Sequence, residues 1–316
     1  MYTNLVCPIC KGKLDYSNNS LTCNKCMIVF QVEEGIPYML PEMARKNNRT
    51  EDLEEIQDIK EKVKEGYSMV DDLLKSSGLA SLATFLNLGY SVNMNPQSSQ
   101  LEPQITHLNK HSVRLLLEVI GSFNMNNKRI LEIGCGRGGN ISTINEYYKP
   151  CMSWGLDLCE ANIRFCKSRY KIDNLSFCVG DAEMPPFSDD FFDAVVNIES
   201  ADSYPNINKF YSGVYSILKS GGHFMYADVR PVKGFEDCVD YMKEIGFDVL
   251  RNTDITSNVL LACDETAQKR VGTFGNIKSD KILDSLENFL TVPGSKLYED
   301  MKCGKQSYRI LELVKK

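Results

Sequence analysis

The segment Arg129-Ile-Leu-Glu-Ile-Gly-Cys-Gly-Arg-Gly-Gly139 constrains the fold more than any other part of the chain. Its apolar run Ile130 to Ile133 reads as a buried parallel strand, and Gly134, Gly136 and Gly138 form the turn after it. Glycine in such a turn lets the backbone approach a ligand with no Cβ in the way. Asn140 to Tyr148 reads as the following helix, its N-terminus aimed at that ligand. A second strand, Ser153 to Leu158, carries Asp157 about twenty residues past the glycines, the spacing of a carboxylate that accepts from ribose hydroxyls. A third, Leu175 to Val179, leads into Gly180-Asp-Ala182. A fourth, Phe192 to Glu199, follows the loop Met184 to Asp190. Strands alternating with helices predict an α/β fold with a doubly wound parallel sheet.

Gly134, Gly136 and Gly139 also satisfy G-x-G-x-x-G, a weak pattern that any tight strand-to-helix turn can produce and that also marks dinucleotide sites. Glu132 ahead of the first glycine, Asp181 after the third strand and a unit beginning near residue 128 point elsewhere. With them the chain resembles the class I S-adenosylmethionine-dependent methyltransferases, whose first motif reads E-x-G-x-G-x-G. Pro186-Phe-Ser-Asp-Asp-Phe-Phe-Asp-Ala-Val195 is similar to the loop P-F-x-D-x-x-F-D-x-V of their small-molecule branch. The resemblance covers residues 67–316 and implies a seven-stranded Rossmann-like sheet with helical lid segments. It also implies a donor site. Gly134, Cys135, Gly136 and Gly138 would lie along the methionine part, Asp157 and Leu158 at the ribose, Asp181 and Ala182 at the adenine, with Asn197 nearby.

The N-terminal region carries a second signal. Cys7-Pro-Ile-Cys10 and Cys23-Asn-Lys-Cys26 are two C-x2-C pairs separated by twelve residues, with a hairpin-like stretch from Leu14 to Cys23 between them. Each pair can put two thiolates on one ion, and four sulfurs complete a tetrahedral Zn2+ site with no position left for water. That predicts a structural metal, without which so short a segment would lack the core to fold. Phe30 to Pro41 resembles the end of zinc ribbons that activate, or are fused ahead of, methyltransferases. The ribbon is expected to serve folding or docking, with a protein partner or a second copy of the chain as its target. Lys11, Lys13, Lys25 and Arg45 to Arg49 are the basic residues that would support RNA binding instead. Residues 1–42 are thus read as the ribbon, 43–66 as a linker helix and 67–316 as the methyltransferase domain. A net charge of -6 disfavours a nucleic-acid partner. No apolar run reaches the eighteen or so residues of a membrane helix, and scattered cysteines fit a reducing compartment, so a cytoplasmic protein is expected.

The acceptor side is assigned to lid segments 67–122 and 254–300, with Tyr90 and Tyr204 as substrate-contacting residues. Residues 290–308 and Asn197-Ile-Glu-Ser-Ala-Asp-Ser-Tyr-Pro205 resemble enzymes that O-methylate phenolic or polyketide-derived products. Their pattern is V-E-S-S-H-x-Y, and Asp202 stands at the position of the histidine, the natural general base. Asp202 is therefore the first candidate base and Glu199 the second, against the alternative that both are solvated loop carboxylates. His107, His111 and His223 are expected to be structural. The expectation is O-methylation of a small hydroxylated metabolite. An rRNA base methyltransferase and a non-catalytic scaffold are the alternatives.

Overall fold

The computed structural model describes residues 2–41, 51–76, 78, 80–92, 109–273 and 291–316, with the side chains of 51–56 and 269–273 excepted. The N-terminal unit is a four-stranded antiparallel sheet in sequential order: β1 (Leu14–Ser17), β2 (Ser20–Cys23), β3 (Ile28–Glu33) and β4 (Ile36–Pro37). Along β3, Ile28, Phe30 and Val32 are buried while Val29, Gln31 and Glu33 face outward, the period-two pattern of a half-buried strand.

The main domain contains α1 (Glu51–Ser76), α2 (Lys110–Ile120), β5 (Arg129–Ile133), α3 (Gly139–Tyr148), β6 (Met152–Asp157), α4 (Glu160–Arg169), β7 (Leu175–Val179) and β8 (Phe192–Ile198). It continues with a 3-10 turn (Ala201–Ser203), α5 (Ile207–Ile217), β9 (Leu218–Pro231), α6 (Val232–Glu244), β10 (Phe247–Asp254), α7 (Thr256–Thr273), α8 (Lys296–Lys302) and β11 (Gln306–Lys315). The sheet runs β10-β11-β9-β8-β5-β6-β7. The five strands from β9 to β7 are parallel, and β11 lies antiparallel between β9 and β10. From β5 the chain winds outward through β6 to β7 and then crosses to β8 on the other side. The carboxyl ends of β5 and β8 form the switch point where ligands of doubly wound sheets bind.

The ribbon grips an edge of this sheet. Tyr38 bridges Val179 in parallel and the Met39 amide donates to Val179 O at 2.8 Å, so the chain after β4 continues the sheet past β7. An exposed edge strand invites pairing with another molecule, and here it is covered. Leu5 pairs with Phe187, the Val6 amide donates to Pro186 O (2.9 Å), and Lys11 Nζ donates to Pro185 O (2.8 Å) and Phe187 O (3.1 Å). Leu5, Phe30 and Met39 join Trp154, Leu156 and Phe187 in one apolar cluster. Ribbon and sheet therefore share a core.

One boundary differs from expectation: the linker helix continues to Ser76, so a division at residue 67 falls inside α1. Residues 93–108 and 274–290 of the two lid segments lie outside the described residues, and His107 with them.

Candidate functional site

At the switch point Gly134 has φ +69, and a Cβ there would collide with Ser200 and the Tyr204 hydroxyl. Only glycine serves at this position. Glu132, buried in β5, accepts from Asn140 Nδ2 (2.9 Å) and from the Ile141 amide (3.0 Å), fixing the start of α3 above the turn. Burial pushes its carboxyl up to about 8, against the opposing effect of these two hydrogen bonds. At the end of β6, Asp157 accepts from the Gly136 amide (2.7 Å), the Cys159 amide (2.9 Å) and Asn162 Nδ2 (3.2 Å). Burial raises its pKa and these hydrogen bonds oppose the rise.

The resulting cleft is lined by Gly134, Cys135, Gly136, Asp157, Leu158, Asp181, Ala182 and Tyr204 among the residues picked out from the sequence. Gly138 and Asn197 lie behind the wall. Asn197 Nδ2 donates to Ile133 O (2.9 Å), Ser200 Oγ (2.7 Å) and Tyr204 Oη (3.3 Å), so it ties the loop after β8 to the glycine turn. Tyr204, expected on the acceptor side, has its hydroxyl held by Ser200 Oγ at 2.9 Å on the side of this cleft.

Three parts of the cleft were not read from the sequence. The first is Lys60 of α1, whose Nζ lies 2.7 Å from Asp181 Oδ2 and 3.0 Å from Glu183 Oε2 with all three side chains buried. Burial alone would lower the lysine pKa; the two carboxylates outweigh it and hold the ammonium above its usual range. The second is Arg137 inside the glycine turn, 1% exposed. Its guanidinium pairs with Asp71 of α1 (2.5 Å), donates to Ala83 O and Ala80 O (2.7 Å each) and stacks on Phe165. The third is Glu183, whose other oxygen accepts from the Asn206 amide at 2.7 Å. The segment from Ala80 to Tyr90 is thus pinned across the glycine turn, with the Gly139 amide on Thr84 O (3.1 Å) and the Leu88 amide on both Glu199 oxygens (2.9 and 3.0 Å).

A second cavity of about 410 Å³ adjoins the cleft. Val63, Tyr67, Leu86, Glu199 and Ser203 line both. Met69, Val70, Leu88, Val229 and Leu297 give it apolar walls, with Asp202 and Asp228 facing it and Lys62 at an exposed position. Glu199 sits at φ +51, and besides Leu88 it accepts from the Tyr308 hydroxyl at 2.7 Å, which ties the lid to β11. That carboxylate is engaged in holding the wall. Asp202 lies exposed on the 3-10 turn. Asp228, fully buried in the C-terminal part of β9, went unremarked in the sequence. Tyr90 lines neither cavity. Its amide donates to His111 O, and the ring packs into the apolar cluster around α2, so Leu86 and Leu88 take the place expected for it. His111 contacts Tyr90 O and Glu265, and His223 contacts Glu312 and the Phe123 ring, as structural histidines do.

At the other end of the molecule, the sulfurs of Cys7, Cys10, Cys23 and Cys26 all lie within 4.8 Å of one another, with Cys10 and Cys23 Sγ 3.6 Å apart. Four sulfurs so placed form a zinc-ribbon-like site and fit one tetrahedral ion.

This fold and this cleft are those of a methyltransferase, and comparison with known proteins carries the assignment further. The chain belongs to the methyltransferase-domain family, whose model matches residues 124–288, and residues 4–35 match the model of Trm112p-like proteins. It is an S-adenosylmethionine-dependent methyltransferase. Over 231 residues it is 30% identical to a fatty-acid O-methyltransferase of Mycolicibacterium smegmatis, covering 73% of this chain and 83% of the relative. Over 221 residues it is 33% identical to a phthiotriol/phenolphthiotriol dimycocerosates methyltransferase of Mycobacterium leprae, covering 70% and 80%. Among solved structures, the [4+2]-cyclase SpnF superposes with a TM-score of 0.63 at 17% identity, covering 81% of this chain and 96% of that one. That last likeness concerns the fold alone. Among the described residues, no helix is long and apolar enough to cross a membrane.

Proposed function

We propose that the protein transfers the methyl group of S-adenosylmethionine to an oxygen of a small, largely apolar acceptor of phenolic, polyketide or lipid type. The observation that carries this reading is the second cavity, apolar on most of its walls and joined to the cleft through Val63, Tyr67, Leu86, Glu199 and Ser203. The names of the two relatives, one acting on fatty acids and one on phthiotriol lipids, support an acceptor of this kind.

In this reading the donor lies in the cleft. Gly134, Gly136 and Gly138 with Cys135 let the backbone run along its methionine part, Asp157 and Leu158 meet the ribose, and Asp181 and Ala182 meet the adenine. Asn197 keeps the loop after β8 in place. Methyl transfer from a sulfonium is a direct displacement, so these residues chiefly align donor and acceptor, while the α1 and 80–90 walls exclude water. The cysteine cluster holds a structural Zn2+ that keeps the ribbon docked. Residues 1–42, 43–66 and 67–316 then act as one body, since ribbon and sheet share a core and α1 walls the cleft.

The rRNA alternative has less support. Lys11, one of the few basic residues of the ribbon, donates to loop carbonyls at Pro185 and Phe187, and three carboxylates face the acceptor cavity. Incubating the protein with labelled donor and a panel of alkylphenols, polyketide phenols, fatty acids, long-chain alcohols and rRNA tests the reading. Label is expected in apolar small molecules. Label in rRNA alone would overturn it.

A further inference from the structure

The two relatives differ in the charge of the oxygen they would methylate, an ionised carboxyl in a fatty acid and a neutral hydroxyl in a phthiotriol. The acceptor cavity of this chain discriminates between them. We infer that its acceptor is a neutral hydroxyl compound and that Asp228, not Asp202 or Glu199, takes the hydroxyl proton as the methyl arrives. This rests on the apolar-acceptor reading above and adds the charge of the acceptor and the identity of the base.

Among the described residues, Glu199, Asp202 and Asp228 all border the cavity, and the one lysine on its lining, Lys62, is exposed. An acceptor carboxylate would add a further negative charge to a partly dry site, an arrangement that electrostatics penalises. A hydroxyl adds none.

The three acids are not equivalent. Glu199 ties separate elements together: the Leu88 amide of the lid bonds both its oxygens and the Tyr308 hydroxyl of β11 one of them. Taking a proton there would loosen the wall, whereas the partners of Asp228 lie within its own strand. Asp202 lies exposed on the 3-10 turn, where water competes for any contact it makes with an acceptor. Asp228 is 0% exposed and borders the cavity from the C-terminal part of β9, next to β8, whose following loop borders the cleft. Its Oδ1 accepts from the Val229 amide (2.8 Å) and its Oδ2 from the Tyr226 hydroxyl (3.2 Å), to which Arg230 Nε donates at 2.8 Å. The arginine thus reaches the carboxylate through a phenol, which orients it without pairing its charge directly. Asp202 and Glu199 approach from the loop after β8, Tyr67 from α1, Tyr211 from α5 beside Tyr226, and Tyr308 from β11. Arg309, opposite Asp228 in register, turns instead onto Ser307 and the Phe235 ring. Burial first and the Asp202 charge second push the Asp228 carboxyl up to about 8, against Arg230 and the Val229 amide. A base tuned near the working pH is the effective kind.

The step balances. The hydroxyl oxygen bonds the methyl carbon as the sulfur–methyl bond breaks, and that bond's electron pair stays on sulfur, giving a neutral thioether. The hydroxyl proton passes to the Asp228 carboxylate and leaves to water through the open side of the cavity.

Full-length protein with saturating donor would be assayed on dodecan-1-ol, 4-dodecylphenol and dodecanoic acid in detergent. Expected is methylation of the alcohol or the phenol, with the acid slower by about tenfold or more. With the alcohol, which does not ionise in range, the rate should rise with pH through about 8 and then level, because the ionised Asp228 is the reactive form. Asp228→Asn, which keeps the shape and can still bond Tyr226, should lower turnover ~10²–10⁴-fold with donor affinity unchanged. No product from any of the three overturns the apolar-acceptor reading itself. Equal or faster methylation of dodecanoic acid, or an unchanged rate and pH profile in Asp228→Asn, overturns this inference and leaves that reading standing. Should Asp228→Asn fail to fold, the acceptor preference and pH profile of the unaltered protein still decide.

Discussion

The cleft proposed for the donor and the cavity proposed for the acceptor share a wall, yet they are assembled in opposite ways. The floor of the cleft is made by the turns after β5, β6 and β7, short stretches with polar partners of their own, Asp157 holding Gly136 and Cys159 and Glu132 holding Ile141. The helix α1, the 80–90 segment and the loop after β8 only close it over. The cavity is made by residues drawn from α1, the lid around Leu86, the loop after β8, the end of β9 and the segment from Thr291 to Leu297. A site of the first kind is a local property of sequence, because turn chemistry and strand length dictate it over a few residues. A site of the second kind exists only once the chain has packed. This difference governs what could be read in advance.

Disturbing the ribbon should have the largest effect and fall on both sites at once. Because Leu5, Phe30 and Met39 share a cluster with Trp154 and Phe187, losing the metal removes part of the sheet domain's own core. Structural Zn2+ is worth ~10–16 kcal/mol of apparent binding energy in small ribbons, more than a typical domain's net stability. One Zn2+ per chain is expected by metal analysis, and Cys23→Ser should lower the melting temperature of the whole protein and abolish donor binding. A sheet domain that melts unchanged and still binds donor would separate the ribbon from the site.

Next in size is Lys60→Ala, which leaves Asp181 and Glu183 buried without their cation. Removing one partner of a buried pair costs about 3–5 kcal/mol. The loss should appear as a lower unfolding midpoint in denaturant and be partly relieved in Lys60→Arg. Unfolding at the original midpoint would mean that α1 rests on the cleft without closing it. Asp157→Ala sharpens the donor side alone. Calorimetry should find donor affinity weaker by about 1.5–3 kcal/mol, the range for hydrogen bonds to a charged group. Unchanged affinity would remove Asp157 from the site.

The seven-stranded sheet was legible through the family resemblance, and the cysteine cluster and most of the cleft lining because each follows from a local pattern. Lys60 was not, since α1 reads as a charged amphipathic helix and nothing in its spacing says which cleft its lysine enters. Asp228 was not, since an acid within an apolar strand pattern says nothing of its role until its burial and the nearby Asp202 are known. Tyr90 misled for the same reason in reverse: an aromatic in the lid is a reasonable contact, but the backbone turns its neighbours Leu86 and Leu88 toward the cavity.

The smallest predicted effect decides between the two aspartates. If Asp202 were the base, as its alignment with a histidine implied, Asp202→Asn would cost ~10²–10⁴-fold in turnover at every pH. If Asp228 is the base, Asp202 acts on it through space as the like charge that, after burial, raises it. Removing that charge makes the Asp228 carboxylate easier to form, so its pKa falls. The rate with dodecan-1-ol should then reach its plateau at lower pH in Asp202→Asn, with the plateau changed by less than about threefold, since the base itself is intact. At a pH below the original midpoint the variant should be the faster enzyme. A pH–rate profile of the two proteins side by side reads this directly: a displaced curve of similar height assigns the proton to Asp228, and a collapsed curve at the original position returns it to Asp202.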